Sequence, residues 1–214
     1  MNLDYTIAPS AGSNTVCYLL LPMDVGTLNA LAKEYGVNLV SVIVNDWDND
    51  LTPWPAKGVM PGDADFKGDA MQTLEYLRKE LMPQVENVLN LSRPERWLLG
   101  ISLSGLFAVW AWMQGNDFHK IASLSGSFWY DDFPQWLAEH GRNKDGGFAY
   151  LSLGDEESRT HIKRFQPVEE CTTEVINILR MEGALVQFES VPGSHYAPML
   201  PRIHRALASL STLP

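Results

Sequence analysis

Residues 97–107 read Trp-Leu-Leu-Gly-Ile-Ser-Leu-Ser-Gly-Leu-Phe, an apolar run that ends at a serine and then takes on helical periodicity. Small residues at 100, 104 and 105 surround Ser102. In a nucleophile elbow the serine occupies a strained turn between a strand and a helix, and small neighbours let the two backbones cross closely. The stretch therefore predicts an α/β fold in which Ser102 is an exposed nucleophile.

Composition limits the classes of protein that need to be considered. The 214 residues, 45% hydrophobic and 20% charged, can bury one substantial core, so we expect one domain over residues 1–214. A net charge of −10 lacks the surplus of Lys and Arg that releases counterions from nucleic acid, which argues against that partner. Two cysteines, Cys17 and Cys171, give neither a disulfide framework nor a metal-ligand pair.

The sequence also bears on location. The first ten residues carry no basic stretch ahead of an apolar one, and no apolar run reaches membrane-spanning length. We therefore expect a cytoplasmic protein with no membrane partner. The oligomeric state stays open.

Apolar runs alternate with helical periodicity along the chain, as is typical of a mostly parallel central sheet with helices on both faces. Residues 45–68 contain Trp47, Trp54 and several Pro and Gly without periodicity, which is typical of a lid or binding loop. A surface turn is expected at 141–147. Strands are expected at 16–21, 39–44, 97–100, 121–124, 148–153 and 186–191, and helices at 27–35, 69–89 with a bend near Pro83, 103–113, 168–182 and from 199.

A serine hydroxyl needs a base within hydrogen-bond reach, and the base is normally a histidine oriented by a carboxylate. His195 follows the last apolar run in the loop Pro-Gly-Ser-His-Tyr, which places it at the carboxyl end of a strand, on the same sheet edge as Ser102. The other four histidines are better explained as surface or helix-packing groups. His195 is therefore the predicted base.

The acid should follow another strand, between the serine and the histidine in chain order. The run at 148–153 ends in Gly-Asp-Glu-Glu, which places three carboxylates, at 155–157, at a strand terminus. Periodicity does not choose among them. At least two of the three are expected to form a solvated acidic turn ahead of the next helix, where carboxylates suit the helix dipole.

A family resemblance adds to these predictions. The segments Arg96-Trp-Leu-Leu-Gly-Ile-Ser-Leu-Ser-Gly-Leu-Phe-Ala108 and Ser123-Leu-Ser-Gly-Ser-Phe-Trp129 resemble the putative-esterase family of α/β-hydrolases, and the similarity extends over about residues 15–210. The resemblance implies an α/β-hydrolase fold without a large cap domain, and an acid three residues after Gly154, which selects Glu157 with Asp155 as runner-up. Two departures stand out: Ile101 replaces the family's His or Asp, and Ser104 replaces a glycine, which should crowd the turn.

The family pattern also implies where the oxyanion of the reaction would be held. One donor is the backbone N–H of Leu103, the residue after the nucleophile. The second should come from the loop Leu-Pro-Met-Asp at 21–24, where Pro22 has no N–H and Met23 is the better candidate. Asp24 is expected to face away from the site and to cap the following helix.

Together these residues predict a serine esterase that cleaves a small-molecule carboxylic ester through an acyl-enzyme, without metal or organic cofactor. We expect an open cleft that Trp47, Trp54 and Trp129 could line, although packing of a long loop explains these aromatics equally well. A thioesterase or acyltransferase would use the same triad. A non-catalytic binding module on a hydrolase fold is the alternative from a different class, and it predicts the loss of a triad position.

Overall fold

The computed structural model describes residues 2–141, 144 and 147–212, so most of the turn expected at 141–147 lies outside the described residues. The strands are β1 (Asp4–Ala8), β2 (Thr15–Leu19), β3 (Asn38–Ile43), β4 (Glu95–Ile101), β5 (Lys120–Leu124), β6 (Phe148–Gly154) and β7 (Leu185–Val191). They form one sheet in the order β1-β3-β2-β4-β5-β6-β7. Every neighbouring pair is parallel except β1 with β3.

Helices cover both faces of this sheet. They are α1 (Val25–Tyr35), α2 (Trp47–Asp50), α3 (Ala70–Tyr76), α4 (Met82–Val88), α5 (Leu103–Met113), α6 (Phe133–His140), α7 (Val168–Met181) and α8 (Met199–Thr212). Side chains alternate between two cores because successive residues of a strand point to opposite faces. In β4, for example, Leu98 joins the core with α5, whereas Leu99 joins the core with α1 and α8.

Two predicted helix boundaries have clear local causes. Asp24 is the N-cap of α1, where its carboxylate accepts a hydrogen bond of 2.9 Å from the Thr27 N–H, as expected. Gly36 ends the same helix in a left-handed conformation with a φ of 66°. The predicted bend near Pro83 takes the form of a π-helical turn, Leu77–Leu81, between α3 and α4. Proline cannot donate to the carbonyl four residues earlier, which explains the change in helix geometry ahead of it.

The sequence analysis did not predict three elements, the strand β1 and the helices α2 and α6. The edge strand β1 is short and only partly buried, so its apolar pattern is weak. The helix α6 follows Asp132, which has a φ of 60°, and α2 is a single turn inside the long loop 45–68. A single bridge between Ala56 and Phe66 further orders that loop.

The predicted fold class is confirmed: the described chain is a mostly parallel sheet covered on both faces, and the described residues contain no separate cap domain. The parallel arrangement brings the carboxyl ends of β4, β5 and β6 to one edge, where Ser102, Ser125 and Glu157 follow. Within the described residues, no helix is long and apolar enough to cross a membrane.

Candidate active site

Ser102 occupies a strained turn between β4 and α5. Its φ of 57° and ψ of −121° lie in a region that residues with a side chain seldom adopt. The turn is fixed because the Ser102 N–H donates to the Leu124 carbonyl at 3.0 Å and the Ser102 carbonyl accepts from Leu106 at 3.0 Å. This is the geometry that the elbow sequence predicted, and it turns the serine hydroxyl out of the sheet.

The small residues around the serine are needed for close packing. A Cβ on Gly100 would lie 2.0 Å from the Ser104 carbonyl oxygen, so no larger residue fits there. Ser104 does not crowd the turn as expected. Its buried Oγ instead accepts from the Ile101 N–H at 2.7 Å and donates to the Ile101 carbonyl at 2.9 Å.

The three predicted triad residues lie in one hydrogen-bonded row. His195 Nε2 is 3.1 Å from Ser102 Oγ, and His195 Nδ1 is 2.9 Å from Glu157 Oε2. The Glu157 side chain is 3% exposed and that of His195 is 36% exposed. A buried carboxylate and a partly open imidazole suit an acid that orients a base which exchanges protons with a substrate.

Glu157 is held by more than the histidine. Its Oε1 accepts from the Gly154 N–H at 2.7 Å and from the Ser125 hydroxyl, and it lies 3.6 Å from Arg202 Nη2. Burial by itself raises the pKa of Glu157, but the hydrogen bonds from His195, Ser125 and Gly154 outweigh burial and hold this pKa below its usual value. Glu157 is therefore ionised at neutral pH.

Among the described residues, the other candidate acids and bases form no hydrogen bond with the Ser102 or His195 side chain. Asp155 Oδ1 accepts from the Gly193 N–H at 2.8 Å and so fixes the loop that carries His195, while Glu156 is exposed.

Among the other histidines, His161 is exposed at the rim of the cavity beside the site. His204 contacts Tyr35 at 2.9 Å, His119 accepts from the Arg96 N–H at 3.1 Å, and His140 stacks on Trp136.

The two predicted oxyanion donors differ in their surroundings. The Leu103 N–H begins α5, and the first N–H groups of a helix have no partner inside that helix. The Met23 N–H is engaged: it donates to Ser41 Oγ at 3.0 Å, and Ser41 in turn donates to the Leu21 carbonyl at 2.8 Å. An oxyanion would have to share the Met23 N–H with Ser41 or displace it.

A cavity of about 300 Å³ opens beside Ser102 and His195. Apolar walls come from the side chains of Trp129, Ile162, Phe165 and Val168, and the exposed Tyr196 lies at its mouth. Of the three tryptophans, Trp129 lines the cavity. All three pack against the hydrophobic core, and Trp54 Nε1 donates to the Asp131 carbonyl at 3.0 Å.

Four residues near the site escaped the sequence analysis as functional groups. Ser125 and Arg202 contact Glu157, Ser127 contacts Ser102, and Ser41 contacts the Met23 N–H. The two serines at 125 and 127 lie in a segment that carried the family resemblance, so that segment was their only signal. Arg202 lies on the amphipathic helix α8, which carries other polar residues, so nothing in the local pattern marks it.

No group of three or more His, Cys, Asp or Glu side chains in the described part of the chain could hold a metal ion. Burial raises the pKa of both thiols, at Cys17 and Cys171. Neither cysteine lines the cavity, so the chemistry available at the site is that of the serine, the histidine and their neighbours.

Comparisons with known proteins show the family and the fold. Residues 26–205 match the model of the esterase family that is described as "Putative esterase". Uncharacterized protein YbbA of Bacillus subtilis strain 168 is 30% identical over 114 residues, which are 52% of this chain and 46% of that protein. The chain thus matches about half the length of this curated relative.

Solved structures share the fold over nearly the whole chain. An IroE-like serine hydrolase from Shewanella oneidensis superposes with a TM-score of 0.78 at 19% identity, over 96% of this chain and 73% of the other. The siderophore hydrolase EstA from Aspergillus nidulans superposes with a TM-score of 0.70 at 20% identity, over 98% and 89% of the two chains. At these identities the similarity establishes the α/β fold.

Proposed function

The chain belongs to the putative esterase family of α/β-hydrolases, and on this premise we propose that it hydrolyses a carboxylic ester through an acyl-enzyme formed on Ser102. The observation that carries the proposal is the row of hydrogen bonds from Ser102 Oγ through His195 to Glu157, at 3.1 and 2.9 Å. The strained turn at Ser102 supports it, because such strain is concentrated at functional sites.

The reaction has two halves. Ser102 Oγ attacks the ester carbonyl and gives its proton to His195 Nε2, while Glu157 stabilises the imidazolium that results. The tetrahedral intermediate collapses as His195 returns that proton to the departing alcohol. Water then attacks the acyl-enzyme and loses a proton to His195. The C–Oγ bond breaks as His195 returns that proton to Ser102 Oγ, which releases the carboxylic acid and free Ser102.

The Leu103 N–H is the proposed first donor to the oxyanion, and the Met23 N–H remains the proposed second donor. For Met23 the Ser41 hydroxyl matters, because it accepts the same N–H at 3.0 Å in the free protein. Backbone donors are effective when they are fixed before the reaction, and Ser41 fixes the 21–24 loop. An oxyanion beside Met23 would accept the N–H that Ser41 Oγ accepts in the free protein.

The cavity indicates the kind of substrate. A volume of about 300 Å³ lies at the low end of the range for small-molecule pockets. Its aromatic and aliphatic walls favour an ester in which one side is a compact apolar group. We therefore propose a small-molecule ester with an aromatic or short aliphatic group next to the scissile bond.

Labelling with a fluorophosphonate probe tests the nucleophile. We expect the intact protein to be modified at Ser102, as mapped by mass spectrometry of peptides, and Ser102→Ala to remain unlabelled. Ser211→Ala, which changes an exposed serine at the end of α8, is the matched control and should be labelled like the parent protein.

Ester and thioester panels then test the reaction itself. Turnover of carboxylic esters supports the proposal, and a strong preference for thioesters would replace esterase with thioesterase. A folded protein that is not labelled and turns over no ester would overturn the proposal and favour a non-catalytic binding module.

A further inference from the structure

Ser127 places a second hydroxyl group next to the nucleophile. It follows β5 and is 1% exposed, and it lines the cavity beside Ser102. Its Oγ is 3.3 Å from Ser102 Oγ, and this is the one side-chain hydrogen bond found for the Ser127 hydroxyl within the described residues. Ser127 therefore contacts the reacting oxygen directly.

The backbone around Ser127 holds this hydroxyl in place. The Ser127 N–H donates to the Ser102 carbonyl at 3.1 Å, and the Ser127 carbonyl accepts from the Tyr130 N–H at 3.0 Å. The first of these bonds joins the same two residues whose hydroxyls meet. These backbone contacts hold the main chain of Ser127 beside that of Ser102, and the two Oγ atoms lie within hydrogen-bond distance there.

The number of hydroxyl protons at the site determines which of the two serines donates the hydrogen bond between them. Ser102 has one hydroxyl proton, and the proposed triad needs that proton on the hydrogen bond to His195 Nε2, since His195 Nδ1 donates to Glu157. Ser102 Oγ therefore has lone pairs, and no proton, for Ser127. The Ser127 hydroxyl must be the donor.

We propose that Ser127 is a further catalytic residue, which donates a hydrogen bond to Ser102 Oγ and stabilises this oxygen as the leaving group in deacylation. The inference rests on the proposed function of the same site. Ser127 keeps its own proton throughout. When water has added to the acyl carbon, the C–Oγ bond breaks with its electron pair on Oγ, and His195 Nε2 supplies the proton that Oγ takes up.

The two halves of the reaction should depend on Ser127 to different extents. In the acyl-enzyme Ser102 Oγ is an ester oxygen, whose lone pairs are delocalised into the carbonyl and accept hydrogen bonds poorly. In the transition state of deacylation the same oxygen carries negative charge and accepts strongly. Before acylation Oγ is already a good acceptor as a hydroxyl, so the hydrogen bond strengthens less. Only interactions that strengthen in the transition state accelerate a step.

Stopped-flow hydrolysis of p-nitrophenyl acetate separates the two steps. We expect Ser127→Ala to slow the decay of the acetyl-enzyme by about tenfold, the size typical of one hydrogen bond, and to slow acetylation by less than about threefold. Acetyl-enzyme should then accumulate and be visible by intact-protein mass spectrometry. The pH profile should not move, because His195 and Glu157 are unchanged.

A second variant and a control test whether Ser127→Ala acts through the lost hydrogen bond or through a general disturbance of packing. Ser127→Cys keeps a donor on an unbranched side chain, although the thiol is slightly larger and a weaker donor than the hydroxyl, and it should fall between the parent protein and Ser127→Ala. Ser152→Ala removes another buried hydroxyl, on β6, that does not line the cavity, and it should leave both steps unchanged.

The outcomes are distinguishable. Equal slowing of both steps, or no slowing of either, in a Ser127→Ala protein that still labels with fluorophosphonate would overturn the role of Ser127 and leave the esterase proposal intact. If the parent protein itself forms no acetyl-enzyme, the proposed function fails first.

Discussion

At the scale of single residues, Ser104 shows how a departure from a family pattern can be accommodated. Its hydroxyl forms two hydrogen bonds with the backbone of Ile101, on the strand side of the elbow. These bonds tie the end of β4 to the first turn of α5. The side chain that was expected to crowd the turn therefore connects its two arms.

Ser104→Ala should lower the free energy of unfolding by about 1–2 kcal/mol, because the partly buried N–H and carbonyl of Ile101 lose their hydrogen bonds with the hydroxyl. Ser104→Gly should cost more, since glycine adds conformational freedom to the unfolded chain. Urea denaturation of both variants, with Ser211→Ala as the surface control, measures these differences. A Ser104→Ala protein as stable as its parent would contradict this account of the elbow.

Glu157 is the proposed acid of the triad and Asp155 was the runner-up, so we expect substitutions at the two positions to have different effects. We expect Glu157→Gln to lower kcat/KM by about 10³-fold or more, because an amide no longer stabilises the imidazolium and can favour the wrong histidine tautomer. Asp155→Asn should cost less than about tenfold, since an amide oxygen can still accept the Gly193 N–H. The measurement is kcat/KM for p-nitrophenyl acetate in both variants, and a reversed order of the two effects would make Asp155 the acid.

At the scale of elements, Arg164 joins the long loop 45–68 to the wall of the cavity. Arg164 donates to the Gly58 carbonyl at 3.1 Å, to the Lys57 carbonyl, and to Asp131 Oδ1 at 3.0 Å. Its guanidinium carbon lies 5.7 Å from the centre of the Phe66 ring and 5.5 Å from that of Trp129. The loop is thus a support for the aromatic wall of the cavity, through Arg164.

The wall continues from Trp129 to Phe165, whose ring centres are 4.6 Å apart. Arg164→Met should therefore raise KM several-fold with a smaller change in kcat, because the wall is loosened while the triad is untouched. Limited trypsin digestion at Lys57 and Lys67 should become faster, since the carbonyls of Lys57 and Gly58 lose their hydrogen bonds from Arg164.

Lys163→Met, an exposed position on the same segment, is the control for both measurements and should behave like the parent protein. If Arg164→Met changed kcat more than KM, a role for Arg164 nearer the chemistry would be indicated.

At the scale of the whole molecule, the last helix, α8, places a buried arginine side chain next to Glu157. Arg202 on α8 is 4% exposed, donates to Ser125 and lies beside Glu157. Burial lowers the pKa of Arg202, and the charge of Glu157 opposes that effect. Ionised Glu157 therefore contributes both to the site and to the packing of α8 on the sheet.

This coupling predicts how stability varies with acidity. Because the pKa of Glu157 lies below its ordinary value of 4.5 in the folded protein, the unfolded state binds the proton more readily. The stabilisation is complete above about pH 4.5 and is lost as the pH falls through the folded pKa. Glu157→Gln should therefore be less stable than the parent at pH 7, and the difference should shrink below pH 4.5.

Urea denaturation of both proteins between pH 3 and 7 measures this difference. Glu80→Gln is the control, since Glu80 is exposed and forms no ion pair with any described residue. A difference between Glu157→Gln and the parent that stayed constant down to pH 3 would contradict the linkage.

The sequence alone determined most of the architecture. Apolar runs and helical periodicity located six of the seven strands to within about two residues at each end, because the positions that are buried in a strand or a helix carry apolar residues. The elbow motif led to Ser102, and chain order and strand ends led to His195 and to the three carboxylates at 155–157, among which the family resemblance selected Glu157. The structure brings Ser102, His195 and Glu157 into contact.

Tertiary structure alone decided the rest. Ser125 and Arg202 are 77 positions apart in the chain and meet only because α8 packs against β5 and β6. The contacts of Ser127 with Ser102 and of Arg164 with loop 45–68 likewise join distant segments. No periodicity records such contacts, because periodicity reports which face of an element is buried and not which residue of another element it meets.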